Sequence, residues 1–234
     1  MDRELSKSSG QTVVCGWGRV GRAVAADLER SGHPVVVVDI DIDPAADVLY
    51  PVVVGDAILD STLRAAGLER SSSLIAALED DAENLFVTLS GRSINPSLFI
   101  VTCARQDESV PKLANAGADC VVNPEELGAA RMASFVARPH VAEFIDMVMH
   151  KRSLEFRMQE FDVPPESVLA GQTLKDANLR EASGALVLAL RSPGGVFTTN
   201  LTGDTHIQPH DIIIAVGTID DLHRLSEFTQ RHSS

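Results

Sequence analysis

Three glycines stand at a spacing that suits the binding of a diphosphate. Gly16, Gly18 and Gly21 form the pattern GxGxxG directly after the apolar run 12–15, and a helical pattern follows them. The first glycine permits a tight turn, the second admits a diphosphate to the backbone, and the third lets helix pack closely on strand. The free N–H groups and partial positive charge of the helix N-terminus then face the anion. A glycine-rich turn that only packs strand on helix is the alternative interpretation.

Acidic and basic residues near this loop extend the candidate site. Asp39 ends the second apolar run, 18 residues after Gly21, where a carboxylate accepts hydrogen bonds from the hydroxyls of an adenosine ribose. Its charge would repel a 2′-phosphate, so NADP is disfavoured. Asp56 follows the third run, where the adenine side of such folds lies, although it could also be a helix N-cap. Arg19, inside the loop, is predicted to reach a phosphate, with a solvated side chain as the alternative.

The acidic run, two histidines and the cysteines are interpreted as structural features and not as binding sites. The acidic run 79–83 opens a later helix, where acids interact favourably with the helix dipole, and a divalent-cation site is the minority interpretation. His206 and His210 flank a proline-containing turn, which we interpret as solvated and not as a metal site. The cysteines lie far apart in apolar runs without metal-ligand spacing, so we predict reduced core thiols at Cys15, Cys103 and Cys120.

Composition limits the classes of partner. Among 234 residues the formal net charge is −13, and a surface of that sign repels phosphate backbones and anionic lipid headgroups. We therefore expect no nucleic-acid partner. Aromatic residues make up only 4%, which disfavours surfaces that stack bases or sugars. The polar N-terminus and the lack of an apolar run of about 20 residues predict a soluble, cytoplasmic protein.

The elements that must position the glycine loop are short, continuously apolar runs separated by amphipathic segments. Continuous apolar runs are typical of parallel strands covered on both faces by helices. We therefore predict an α/β fold with a Rossmann-like, doubly wound parallel sheet. Its six strands are expected at 12–15, 34–39, 52–54, 74–78, 99–103 and 119–122.

A change of pattern divides the chain. We predict a linker at 1–11, a nucleotide-binding domain at 12–138, a crossover helix at 139–152 and a small α+β domain at 153–234. The crossover segment carries an apolar stripe at helical spacing, formed by Val141, Phe144, Ile145, Val148 and Met149. The tail is rich in turns, with strands predicted at 186–190 and 212–216 and a helix from 220 to about 230.

Several groups that an enzyme of this fold would need are missing from the sequence. Tyr50 is the only tyrosine and has no lysine four residues later, so the short-chain dehydrogenase pair is absent. The nucleophile-elbow, zinc-protease and Walker patterns are also absent. We therefore expect the nucleotide to be a ligand and not a reagent, with a small NAD-dependent oxidoreductase as the alternative.

The chain from about 12 to 230 resembles the RCK family (regulator of potassium conductance, the Trk/Ktr type of nucleotide-binding domain). The segments that carry the resemblance to its N-terminal half are VVCGWGRVGRAVAADL, VVVVDID, VVVGDA, ALEDDAEN and GADCVVNPEELGAARMA. Those that resemble its C-terminal half are PPESVLAGQTLKDANL, ALVLALRSPGGVFTTN and IQPHDIIIAVGTIDDLHRL.

The resemblance implies a cytoplasmic module that gates a potassium channel or transporter pore at the inner face of the membrane. Such modules dimerise, commonly through a swapped crossover helix, and stack into rings of eight. The ligand that the resemblance implies for this chain is NAD or an adenine nucleotide (ATP, ADP or AMP). The resemblance does not extend to the calcium site of some members, whose carboxylates are replaced here by Ala77, Thr102 and Ala104. The implied nucleotide contacts are Gly16, Gly18, Arg19, Val20, Gly21, Asp39, Ile40, Asp56, Ala57, Ala104 and Arg105.

Overall fold

The chain forms two compact units, residues 1–132 and 133–234, each with a hydrophobic core of its own. The computed structural model describes residues 10–42, 49–150 and 156–230, and it describes their side chains except at 146–150 and 156. Over the described residues, no helix combines the length and the apolar character that crossing a bilayer requires.

The first unit is a six-stranded parallel sheet with helices between its strands. The strands are β1 (Thr12–Cys15), β2 (Val35–Asp39), β3 (Val52–Val54), β4 (Ser73–Ala76), β5 (Phe99–Cys103) and β6 (Cys120–Val122). The helices between the strands are α1 (Arg19–Arg30), α2 (Asp60–Ala65), α3 (Asp81–Ile94) and α4 (Val110–Asn115), with 3₁₀ turns at Leu68–Arg70 and Asp107–Ser109. Helix α5 (Pro124–Ala137) follows β6 and extends past residue 132, the last residue of this unit.

The sheet has the order β3-β2-β1-β4-β5-β6 with every pair parallel, which confirms the doubly wound Rossmann-like fold. β1 and β2 are interior strands and are almost wholly buried, as their continuous apolar runs predict. The predicted end of β4 is wrong, because the strand stops at Ala76. The N–H of Leu78 donates to the side chain of Asn84, 3.0 Å away, and not to a neighbouring strand.

The thiols divide into two kinds. Burial, and then the charge of Asp39, raises the pKa of Cys15 to about 12. Burial likewise raises the pKa of Cys103, so both thiols stay protonated at neutral pH and fit the predicted core role. The same prediction is wrong for Cys120, which is exposed. Cys120 lies on β6, one of the two edge strands, whose residues are exposed or half-buried.

The second unit contains α6 (Pro139–His150), α7 (Leu174–Ala177), α8 (Leu179–Ser183), α9 (Ile219–Gln230) and four strands. The strands are β7 (Phe156–Asp162), β8 (Leu186–Arg191), β9 (Phe197–Thr198) and β10 (Ile212–Thr218), in the antiparallel order β7-β10-β8-β9. Along β10 buried and half-buried residues alternate, because one face of the sheet packs into the core of the unit. The predicted α+β domain is confirmed.

A capping box fixes the start of α9. The Thr218 hydroxyl accepts from the Asp221 N–H at 3.1 Å, and the Asp221 carboxylate accepts from the Thr218 N–H at 2.9 Å. Hydrogen bonds to the carboxylate from the side chain and the backbone N–H of Thr218, and then the nearby Arg224 guanidinium, hold the pKa of Asp221 below its usual range. The ionised carboxylate therefore stabilises the fold.

We expect Asp221→Ala to lower the free energy of unfolding by about 1 kcal/mol, the usual cost of a lost cap. Since the folded-state pKa is depressed, this contribution is complete above the unfolded-state value of about 3.9. It disappears as the pH falls through the lower folded-state value. Thermal melts of both proteins from pH 7 to pH 3 measure the difference, and a gap that widens with acid would contradict the assignment.

Candidate functional site

The glycine loop is built by two glycines that no other residue can replace. Gly16 directly follows β1 with a φ of +101°, and a Cβ there would lie 2.5 Å from the carbonyl oxygen of Ala77. A Cβ on Gly21 would lie 1.8 Å from the carbonyl oxygen of Gly16. These two positions therefore hold the turn and the close packing of α1, and the third glycine is left free for another role.

Gly18 is that third glycine, and a Cβ there would meet no atom within 4 Å. It is the N-cap of α1 in extended backbone, and no side chain caps the first turn of the helix. Within the part of the chain that the structure describes, the N–H groups of the first turn therefore lack a capping side chain, and they lie beside open space that a side chain at residue 18 would enter. This cradle has the chemistry for an anion.

A cavity of about 470 Å³ opens beside the cradle. Gly18, Arg19 and Val20 form one wall, and the exposed Arg105 contributes a second cation from the end of β5. Other lining residues are Ala23, Val24, Asp27, Ala77, Leu78, Glu79, Cys103, Pro124 and Glu125. The cavity thus offers two guanidinium groups together with apolar walls and carboxylates.

Asp39 lies on the other side of the loop, at the end of β2. Its carboxylate accepts from the Trp17 N–H at 2.6 Å and from the Asp41 N–H at 2.8 Å, so the acid is tied to the glycine loop itself. The Asp39 side chain is half-buried, and the neighbouring Ile40 is 61% exposed. A carboxylate accepts up to about four hydrogen bonds, so capacity for two hydroxyls remains.

Three other predicted positions have more limited roles. Asp56 does not cap a helix, because its carboxylate accepts from the Ile58 N–H at 3.0 Å within a turn, and Leu59 is the N-cap of α2. Ala57 and Ala104 are buried, at 4% and 0% exposed. These two alanines can offer a ligand little beyond backbone atoms.

The topology brings the predicted residues to one edge of the sheet. Strands on either side of β1 connect in opposite directions, and ligands of such sheets bind at this switch point, beyond the carboxyl ends of the strands. The glycine loop lies at that point. Asp39, Ile40 and Asp56 follow β2 and β3 on one side, whereas Arg105 and the cavity follow β4 and β5 on the other.

Three further residues of this edge lie at the start of α3, two of them in the acidic run 79–83 and the third directly after it. Asp80 caps the helix, accepting from Ala82 and Glu83, as the dipole argument predicts. Asp81 and Asn84 instead bond the ends of β4 and β5, a role that the sequence analysis missed. The signal in the sequence that could have indicated this role was the amide side chain of Asn84 in the first turn of the helix. Among the described residues, no group of three or more histidines, cysteines and acids is placed to hold a metal ion.

Comparison with known proteins gives the family. Residues 12–124 match the TrkA-N domain model, and residues 158–230 match the TrkA-C domain model. Potassium channel protein 1 of Methanocaldococcus jannaschii is 33% identical over 236 residues, which cover 98% of this chain and 69% of that protein. This chain belongs to the RCK (TrkA-N/TrkA-C) family.

Other relatives include a protein of similar length. Ktr system potassium uptake protein C of Bacillus subtilis is 28% identical, and the match covers 92% of the RCK chain and 95% of that protein. Two solved structures resemble the whole RCK chain. The GsuK RCK domain has a TM-score of 0.51 at 28% identity, and the GsuK channel bound to NAD has 0.52 at 27%. They cover 94% and 95% of this chain, which spans 46% and 39% of theirs.

Proposed function

We propose that this chain binds NAD or an adenine nucleotide (ATP, ADP or AMP) at the glycine loop and thereby regulates potassium transport. The observation that carries the proposal is the cradle at Gly18, where open space lies beside the start of α1 and the N-cap residue has no side chain to enter it. The binding of NAD by GsuK, a structural relative, supports the choice of ligand.

Each residue of the edge has a distinct task in this proposal. The N–H groups that follow Gly18, together with Arg19, hold the phosphates. Asp39 accepts the ribose hydroxyls, with Ile40 and Asp56 bordering the adenine side. Arg105 contributes its cation on the far side of the loop, inside the cavity. The ligand supplies no chemistry of its own here, because its role is to be recognised.

The nucleotide is proposed as a ligand and not as a reagent. Cys103 is the thiol that lines the cavity, and because burial raises its pKa it is protonated at neutral pH and not an activated nucleophile. The alternative, an NAD-dependent oxidoreductase, requires consumption of reduced nicotinamide with some carbonyl substrate. An absorbance assay with a carbonyl panel separates the two functions, and steady consumption would favour the enzyme.

Regulation requires that the ligand bind two conformations of the module with different affinity. The proposed partner is a potassium channel or transporter pore at the inner face of the membrane, since the relatives are named as a potassium channel protein and a potassium uptake protein. We further propose that the chain dimerises and assembles into a ring of eight. The apolar face of α6 supports self-association, because Val141 and Phe144 are 54% and 61% exposed in the single chain.

Asp39→Ala is expected to weaken the binding of NAD and of ADP at least tenfold. The substitution removes the acceptor for two charge-assisted hydrogen bonds, each worth roughly 1.5–3 kcal/mol, and 1.4 kcal/mol already gives a factor of ten. Calorimetric titration measures the affinity. Asp41→Ala is the matched control, because Asp41 contacts Asp39 through its backbone N–H and not through its carboxylate. Equal affinity of the Asp39 variant and the wild type would refute the ribose assignment.

A further inference from the structure

The first turn of α3 joins the ends of two strands at the cavity. Asn84 is fully buried, and its amide oxygen accepts from the Leu78 N–H at 3.0 Å. Its amide nitrogen donates to the carbonyl oxygens of Leu78 at 3.2 Å and Cys103 at 3.1 Å. One side chain therefore sets the separation of the chain segments that follow β4 and β5.

Asp81 binds the chain segment that follows β5, which lines the same cavity. Its two carboxylate oxygens accept from the N–H groups of Arg105 at 2.8 Å and Gln106 at 3.1 Å. Partial burial alone would raise the pKa of Asp81, but hydrogen bonds from Arg105, Ser109 and Gln106 outweigh it and hold the pKa below the usual range. The carboxylate is therefore ionised at neutral pH, with both of its oxygens engaged.

The ends of β4 and β5 lie directly beside the glycine loop. The backbone of Ala77 leaves no room for a Cβ on Gly16, and Leu78, Cys103 and Arg105 all line the cavity beside Gly18. Capping of α3 does not explain Asp81, since Asp80 already provides the cap. Since the Asp81 carboxylate accepts from the N–H groups of Arg105 and Gln106, we infer that it holds this segment of the backbone in place.

We propose that Asp81, supported by Asn84, is a positioning residue that fixes Arg105 for ligands extending past the glycine loop. The inference rests on the proposed nucleotide site and adds a basis for its selectivity. A dinucleotide such as NAD continues from its diphosphate into the cavity and meets Arg105. AMP ends at the phosphate cradle, so its binding does not depend on how Arg105 is held.

The test is a titration of NAD and of AMP into the whole chain, read by calorimetry and by the fluorescence of Trp17, the only tryptophan. Asp81→Asn keeps the shape of the side chain but replaces one acceptor oxygen by a donor facing an N–H. We expect NAD affinity to fall about tenfold and AMP affinity to change less than twofold. Asp80→Asn is the matched control, because asparagine is an equally good N-cap, and it should leave both affinities unchanged.

Arg105→Ala keeps the test decisive if Asp81→Asn should fail to fold, because the exposed Arg105 side chain is not needed for packing. Arg105→Ala should also lower the affinity for NAD about tenfold, and the double variant Arg105→Ala/Asp81→Asn should show no further loss of affinity. A further loss in the double variant, an equal loss for AMP, or wild-type NAD affinity in either single variant would overturn the inference. A wild-type chain that binds no nucleotide would instead overturn the proposed function, and the inference with it.

Discussion

Gly21→Ala is expected to lower the free energy of unfolding of the first unit by at least about 3 kcal/mol, at the upper end of what overpacking costs. The new Cβ would lie 1.8 Å from the carbonyl oxygen of Gly16, a backbone atom that cannot rotate away. Helix propensity acts in the opposite direction, since alanine is favoured over glycine by about 1 kcal/mol inside a helix. The clash is the larger effect, so the net result is strong destabilisation.

Chemical denaturation with Gly18→Ala as the control measures this effect. A Cβ on Gly18 meets no atom, so this variant should keep the wild-type free energy of unfolding to within about 1 kcal/mol. It should nevertheless bind NAD more weakly, because the methyl group enters the cradle. A Gly21→Ala protein as stable as the Gly18→Ala protein would show that the loop and α1 do not pack as described.

Phe144→Glu is expected to convert a dimer into a monomer of 25.1 kDa. Phe144, Val141 and Ile145 are 61%, 54% and 43% exposed in the single chain, and together they form an apolar face on α6. A buried aromatic at the centre of an interface is worth roughly 2–4 kcal/mol, which corresponds to about 30- to 1,000-fold in the dissociation constant of the dimer. The remaining residues of the predicted stripe, Val148 and Met149, lie outside the described side chains.

Light scattering at micromolar concentration distinguishes the outcomes. The free energy of unfolding of Phe144→Glu should stay close to that of the isolated wild-type chain, because the side chain is exposed within one chain. Val196→Glu, at an exposed apolar residue of the β8–β9 turn, is the control and should leave the dimer intact. A wild-type particle of 25.1 kDa would refute self-association, and a dimeric Phe144→Glu would place the interface elsewhere.

The sequence predicts those features that local spacing determines. Gly21 packs against Gly16, only five residues earlier, so the turn and its helix could be placed from the local spacing alone. The acid Asp39 could be placed from its position at the end of the next apolar run, whereas the approach of Ala77 to Gly16 depends on a distant strand. Continuous valine runs likewise predict parallel strands, and the six-stranded order confirms them. The predicted burial holds for β1 and β2 but is wrong for β3, an edge strand whose Val54 is 49% exposed.

Features that depend on distant partners could not be placed in this way. The role of Asn84 becomes visible only when the end of β5 comes within reach, because one of its partners is the carbonyl of Cys103. The exposure of Cys120 depends on β6 being an edge strand, and an edge strand can be as apolar as a central one. Asp56 resembles a helix cap in sequence, but the turn at Ile58 delays the helix by several residues.

Potassium flux through a chimeric channel tests the central claim most directly. The chimera replaces the matching segment of Methanocaldococcus jannaschii potassium channel protein 1 by this chain, and flux into vesicles is measured with and without NAD or ADP. A coupling of about 1–3 kcal/mol predicts a change in flux of roughly 5- to 150-fold, and Asp39→Ala should abolish the response. A chimera that conducts potassium and binds nucleotide, but whose flux is the same with every nucleotide, would contradict the account.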